Sequence, residues 1–443
     1  MENRIESYLT NVILAEDLLK HRVMRPILLL LLASVCFTSA RCLAADDNLL
    51  ALALRAQSDF DRVEISAVPA LPDTLACVQS QAMVLPVTRP AEMSLIYYRK
   101  GYCEMINGTL TGNRAEYREA THDLEKAIEA WPDRMKKAPT VPPVSSGLRV
   151  LLDASHLLAN GNTDPRVTHD LEEAVGYAEC SATVMPAVKC QTLVGVGRLW
   201  LGWIAGREGR LADAAQWFAP FPDSGWPALI AGRQAMAQHQ YAKAVASFQQ
   251  AVDRFAQSPA AGFSAAISPR PDRADALFRL GSARFETQEY PLAIKNLDEA
   301  IKLRPENARA MFVRARAKEK LGQSGVADFE LASRTAFANV NAPGAGGQAH
   351  MYRGVALYRK KDYGRAEQEF SSALNFDSGP ARDDAVAWRH MAAVAGGACG
   401  ASATLLEQSE GGTSSYFPKD EAEMLVKRCQ SHAISEVVHP QSQ

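Results

Sequence analysis

The feature that most restricts this chain is a pair of short helical patterns joined by a tight turn, repeated along the sequence with fixed internal spacing. It is clearest from Arg273 to Pro305, RADALFRLGSARFETQEYPLAIKNLDEAIKLRP. Leu277, Leu280 and Gly281 share one face of a first helix, and Ala293, Leu297, Ala300 and Ile301 share one face of a second. Small Gly281 and Ala293 stand where two such helices cross, so the backbones can approach closely while larger side chains seal the seam. Pro291 suits the first turn of the second helix, where a missing N–H is harmless, and Pro305 ends it. One hairpin of this kind cannot shield its apolar faces alone. It must lean on the next.

The spacing recurs. Ala214 and Phe218 follow Gly202 by twelve and sixteen residues, as Ala293 and Leu297 follow Gly281. Gly232 with Ala244, Phe248 and Ala251 forms another unit, as does Gly354 with Ala366, Phe370 and Ala373. Ala315, Ala327 and Leu331 stand in equivalent places in a weaker unit. Tyr97 and Gly101, then Ala120, Leu124, Ala127 and Pro132, suggest a divergent one with an enlarged loop from Asn107 to Asn113. These residues resemble the tetratricopeptide repeat, with its leucine–glycine pair, its Ala-x3-Phe and its late proline. Arg284 departs from that pattern, since the family usually keeps an aromatic there. The resemblance implies an all-α, tetratricopeptide-like helical-hairpin solenoid with a right-handed superhelical twist and irregular loops between repeats.

The chain opens on what reads as a secretory signal, residues 1–45. Lys20, His21, Arg22 and Arg25 precede the apolar run Ile27 to Phe37, and Ala44 and Ala45 offer cleavage sites. That run is short of the roughly 20 residues of a membrane span. Met24 is a candidate start; a long lead-in or an uncleaved anchor is the alternative. Neither Cys36 nor Cys42 has the preceding residues of a lipoprotein signal. The mature chain divides into N-terminal helices and a divergent repeat (46–135), a linker (136–147), central repeats (148–257), a second linker (258–271), C-terminal repeats (272–400), and a Gly/Ser loop with a terminal helix (401–443). Helices are expected over Asn48 to Asp61, after Asp73 as a cap, over Leu148 to Ala159 and Asp170 to Ala178, over Ala385 to Ala398, and over Lys419 to His432. Ala338 to Gly347 reads as an interruption.

Of the cysteines, Cys77, Cys103, Cys180, Cys190, Cys399 and Cys429 remain after cleavage. An even number in an exported chain suggests disulfides, with 15 connectivities open to six thiols. The solenoid that the resemblance implies lets only sequence neighbours meet: Cys77 with Cys103, Cys180 with Cys190, Cys399 with Cys429. Buried free thiols are the alternative. No zinc-type Cys/His spacing occurs, and no metal or cofactor is expected.

Net charge is −2 and the sequence pI about 6.5, which gives no nucleic-acid footprint. No His-Glu-x2-His, Gly-x-Ser-x-Gly, P-loop or Cys-x2-Cys motif is found, and Gly195-x-Gly197 lacks the strand and third glycine of a dinucleotide loop. His122, His350 and His390 read as helix-surface residues. Asn107-Gly-Thr109 is formally a glycosylation acceptor. Binding is what remains. In the family the first helices line a concave groove, which here implies Arg233, Phe278, Phe285, Arg309, Phe312, Arg316, Tyr358 and Arg359 as partner-binding residues, with Trp203, Arg207, Trp226 and Ser282 nearby. Arginine forks and aromatic rings suit a peptide with carboxylates and apolar side chains; the alternative is that several of the rings are core and the arginines merely solvated. On that reading Arg309→Glu with Arg316→Glu weakens partner capture and leaves helix content unchanged. The expected function is a non-catalytic protein-interaction scaffold of the cell envelope, periplasmic or secreted, binding a protein or peptide. The alternatives are an envelope-assembly or glycan-binding component and a hydrolase without a recognisable motif.

Overall fold

The computed structural model of the chain describes residues 43–65, 70–85, 90–130, 143–160, 165–176, 187–257, 268–269, 272–338, 345–376, 380–410 and 416–438. Residues 1–42 of the expected signal, most of both linkers and Cys180 lie outside them, as does the Cys190 side chain. The described residues are helical and contain no strand. The chain separates into two compact units, residues 1–197 with 260–268, and residues 198–259 with 269–443.

The first unit holds α1 (Leu43–Ile65), α2 (Leu71–Val84), α3 (Pro90–Thr111), α4 (Arg114–Glu129), α5 (Pro143–Asn160), α6 (Pro165–Gly176) and the start of α7 (Ala187–Arg207). Each of α1 to α5 packs on the next. Ala70, not Asp73, is the residue before α2; Pro72 occupies the first turn, and Asp73 sits inside that turn, where its charge suits the helix dipole. The loop expected from Asn107 to Asn113 shrinks to Gly112 and Asn113, because α3 continues through Thr111. Asn113 ends the turn by accepting from the Ala115 amide at 3.0 Å, a helix cap. Asn107 is thereby buried, 2% exposed, and cannot carry a glycan in this fold. Gly101 does lie in the α3–α4 seam: a Cβ there would stand 2.8 Å from Leu124 Cγ. The Cys77 and Cys103 sulfurs are 2.07 Å apart.

The second unit continues α7 and adds α8 (Leu211–Phe218), α9 (Gly225–Ala237), α10 (Tyr241–Gln257), α11 (Arg273–Glu286), α12 (Tyr290–Leu303), α13 (Ala308–Lys320), α14 (Val326–Ala338), α15 (Ala345–Arg359), α16 (Tyr363–Ala373), α17 (Pro380–Ala395), a 3-10 turn (Cys399–Ala401), α18 (Ser402–Glu410) and α19 (Lys419–Val438). Consecutive hairpins pack on one another from α9 to α17. The seam residues are where the spacing puts them. Ala214, Phe218, Ala244, Phe248, Ala293, Leu297, Ala366 and Phe370 are all at most 1% exposed. A Cβ on Gly232 or Gly354 would come within 2.5 Å of Phe248 or Phe370, so the close crossing admits no side chain. Arg284, the departure from the pattern, reaches Asn296 at 2.6 Å and Gln249 at 3.2 Å and so ties α11 to α12 and to α10.

Two features of these hairpins are not in the spacing. In α14 the buried face falls two residues early: Gly325, Phe329 and Ala332 are buried, whereas Ala327 is exposed and Leu331 half-buried. A two-residue slip turns a helix by about 200°, so the projected face points outward. Gly325 lies against the Ala315 carbonyl, which sets the slipped register. Second, one turn position is left-handed in five hairpins: Gly209, His239 (φ 56), Gln288 (φ 62), Gly322 and Lys361 (φ 65). Two are glycine, for which this backbone is natural; three are not.

At the end of the chain α17 covers the last hairpin, beginning at Pro380 rather than Ala385 and ending at Ala395. The helices at 143 and 345 likewise begin inside stretches expected to be irregular, and α19 runs past His432 to Val438. It packs on α17 and α18, with Ala422, Val426 and Cys429 buried and the Cys429 sulfur 1.88 Å from that of Cys399.

Candidate functional site

Besides their seam residues, α11, α13 and α15 carry a second set of large side chains: Phe285 on α11, Phe312 and Arg316 on α13, Tyr358 and Arg359 on α15. A groove-lining role predicts that these face solvent. Phe285, Phe312, Arg316 and Tyr358 are instead 4%, 7%, 2% and 5% exposed. The rings pack partly on their neighbours, Phe312 on Tyr352 and Tyr358 on Trp388, and partly under the segment leading into α19, Tyr416 to Glu421.

The contacts run along that segment in order. The Tyr416 ring sits 5.1 Å from the Phe285 ring and 6.3 Å, edge-on, from that of Phe312. Its backbone carbonyl accepts a hydrogen bond from Arg316 Nε at 2.7 Å. Phe417 is buried against Trp388, ring centres 5.5 Å apart. Asp420 lies 3.4 Å from Lys320 at the exposed edge. Glu421 then closes the site: Arg359 Nη1 donates to its two oxygens at 2.8 and 2.6 Å, and the Tyr358 hydroxyl donates to it at 2.8 Å. Glu319, on α13, accepts from Arg359 Nη2 at 3.2 Å and pairs with Arg316. The buried Arg316 and the half-buried Arg359 guanidiniums thus share one internal carboxylate, and each reaches the segment with what remains.

The electrostatics follow from burial. Desolvation holds Arg316 below the usual arginine range, with the Arg359 charge adding to it against the pull of Glu319. Burial alone would lower Arg359 too; the carboxylates of Glu319 and Glu421 outweigh it and raise it. The Tyr358 phenol is pushed up by burial and by the adjacent Glu421 charge, so it remains a donor. The site therefore offers fixed donors and apolar rings to a chain that brings a carbonyl, a ring and a carboxylate.

The other expected site residues fall elsewhere. Arg309 is exposed and lies over the Phe278 ring at 5.7 Å, while Phe278 itself is buried. Arg233 donates to the Gly206 carbonyl at 2.5 Å, tying α9 to α7. Trp226 belongs to the core, stacked on Phe218 with centres 5.3 Å apart, and Arg207 lies over half-buried Trp203. Ser282 is buried. His122 is exposed; His350 and His390 are half-buried, and His350 bonds Glu369 at 2.8 Å. Of Arg309 and Arg316, both expected on the surface, only Arg309 is there, because Arg316 lies under Tyr416. Sequence reading missed Glu319, Tyr416 and Glu421. The available signal was an aromatic pair and proline, then a lysine and acids, YFPKDEAE, directly after a glycine and serine run.

No group of three or more His, Cys, Asp or Glu among the described residues is arranged to hold a metal ion, and no described helix is long and apolar enough to cross a membrane.

The tetratricopeptide-repeat family model matches residues 231–295, 278–334 and 327–383. No curated protein matches the chain. Among solved structures it is similar to a tetratricopeptide repeat protein from Parabacteroides merdae, at 13% identity over 65% of this chain and 99% of that one, TM-score 0.35. Yeast Tom70 aligns at 11% identity over 82% and 87%, TM-score 0.34. The human IFIT1 dimer with PPP-AAAA aligns at 14% identity over 81% and 79%, TM-score 0.41.

Proposed function

Since residues 231–383 are tetratricopeptide repeats, we propose that this chain is a non-catalytic scaffold that holds a protein or peptide partner on the side of α11, α13 and α15 carrying Phe285, Phe312, Arg316 and Arg359. The observation that carries the reading is that these side chains already hold a turn and the first residues of α19 through a backbone carbonyl, a ring and a carboxylate. That is the chemistry of peptide recognition, with buried rings and guanidiniums as anchors. The basic and apolar N-terminal pattern and the cysteine pairs support an exported protein acting in the envelope or outside the cell.

Affinity capture from envelope extract with residues 46–443 tests the scaffold. A defined protein partner that is lost when Arg359 is replaced supports it; no protein partner, with turnover of a glycan or peptide panel instead, refutes it. Export is tested separately by mass spectrometry of the unreduced mature protein. Peptides linking Cys77 to Cys103 and Cys399 to Cys429 are expected, and six free thiols would refute an oxidising destination.

A further inference from the structure

The seat on α11, α13 and α15 is full, and what fills it has a definite chemistry. We infer that Tyr416 to Glu421 is an intramolecular ligand occupying the partner's seat, and that the partner carries the same pattern, an aromatic residue followed five positions later by a carboxylate. This rests on the scaffold reading above and adds who holds the seat and what can take it.

Three observations carry it. The contacts are of recognition type: a ring between Phe285 and Phe312, a main-chain carbonyl on Arg316, and a carboxylate held by both Arg359 and Tyr358. A helix serving only to cap the stack would need none of them, because α19 is already anchored by Ala422, Val426 and Cys429 against α17 and α18. The charge is complementary. Arg316, Arg359 and Lys320 face Asp420, Glu421 and a carbonyl, and Glu319 alone leaves Arg316 and Arg359 one negative charge short. Without the segment, or another chain bringing a carboxylate, Arg316 and Arg359 would share the single Glu319 carboxylate and turn to water for the rest. Finally, the tether is short: only five residues of sequence separate the end of α18 at Glu410 from Tyr416, so the local concentration of the self-ligand is high and an outside partner competes against it.

The seat is therefore closed at rest, and the partner's apparent affinity is reduced by the fraction of molecules in which it is closed. The spacing between Tyr416 and Glu421 selects against purely apolar and purely acidic segments, since either would leave rings or guanidiniums unmatched.

The test uses the full mature chain and a fluorescein-labelled synthetic peptide, SYFPKDEAE, copied from residues 415–423. Tyr416→Ala with Glu421→Ala takes the ring and the carboxylate out of the seat, emptying its two side-chain positions, while leaving the main-chain bond to Arg316 and the α19 anchor. Anisotropy should show the peptide binding this variant at least ~10-fold more tightly than wild type, and adding Arg359→Ala should remove the gain. Equal affinity for wild type and the emptied variant overturns the proposal, as does absence of binding to both. Should the variant lose its helical signal, hydrogen–deuterium exchange on wild type decides. Saturating peptide should speed exchange across residues 416–421; unchanged exchange with peptide bound overturns the competition. The two readings fail differently. If envelope capture yields the same partner in the same amount with wild type and emptied variant, the self-ligand is wrong and the scaffold stands. If neither captures a protein, the scaffold itself falls.

Discussion

Replacing Arg316 by Ala tests the placement of the C-terminal segment more severely than any surface change. The guanidinium is 2% exposed, donates to the Tyr416 carbonyl at 2.7 Å and pairs with Glu319. Removing one member of a buried pair ordinarily costs about 3–5 kcal/mol, because the partner's charge is left without a counterpart. Here Arg359 still reaches Glu319, 3.2 Å away, which relieves part of that loss. The Tyr416 carbonyl has no such substitute, so a charge-assisted hydrogen bond of about 1.5–3 kcal/mol is lost outright. The low end of the buried-pair range, about 3 kcal/mol, is the expected effect. For a unit of this size each kcal/mol moves the midpoint by about 2–4 °C, so the second unit should melt about 6–12 °C lower. Calorimetry is the assay, because two compact units can give two transitions and only one should move. Arg309→Ala is the control. Arg309 is exposed, and its contact over Phe278 at 5.7 Å is worth about 0.5–1 kcal/mol. Equal shifts for the two variants, or less than about 1 kcal/mol for Arg316→Ala, would mean that this guanidinium is solvated and that Tyr416 does not cover it.

Gly354→Ala places a Cβ within 2.5 Å of the fully buried Phe370 ring and should destabilise the second unit by about 1–3 kcal/mol in urea, whereas Gly364→Ala, with nothing within 4 Å, should be neutral or slightly stabilising. Gln288→Gly relieves a left-handed backbone at φ 62 and should raise stability by about 0.5–1 kcal/mol; a loss would show that the Gln288 side chain contributes more than its backbone strain. Asp153, on α5, is pushed up to about 8 by burial and by the Asp170 charge, against the pull of Arg149, and its Oδ2 has no hydrogen-bond partner among the described residues. With the folded value raised above the unfolded one, its contribution is complete below about pH 4 and is lost as pH rises through about 8. Asp153→Asn should thus stabilise the first unit increasingly between those limits and level off above them, and a difference from wild type that does not change with pH would exclude a protonated Asp153.

What the sequence alone determined is the hairpin and its stacking. A small residue, then Ala and Phe or Leu twelve and sixteen positions later, is a local period, and a helix turns local period into a face. That face had nowhere to go but the next hairpin, so Phe218, Phe248, Leu297 and Phe370 were readable as core before any coordinates. The α14 register was not readable in the same way. Its face is chosen by Gly325 against the Ala315 carbonyl, a contact that exists only once the turn is closed. The non-glycine left-handed positions His239, Gln288 and Lys361 escaped for the same reason: packing on both sides holds a backbone that their side chains disfavour. The candidate site lay furthest from view. Its residue types could be named from Phe285, Phe312, Arg316 and Arg359, but whether those side chains meet water, a partner or their own chain depends on a bond between Arg316 and Tyr416, 100 residues apart. Periodicity carries no information about contacts at that distance. Only the folded chain brings that carbonyl and the Glu421 carboxylate to guanidiniums whose burial demands them.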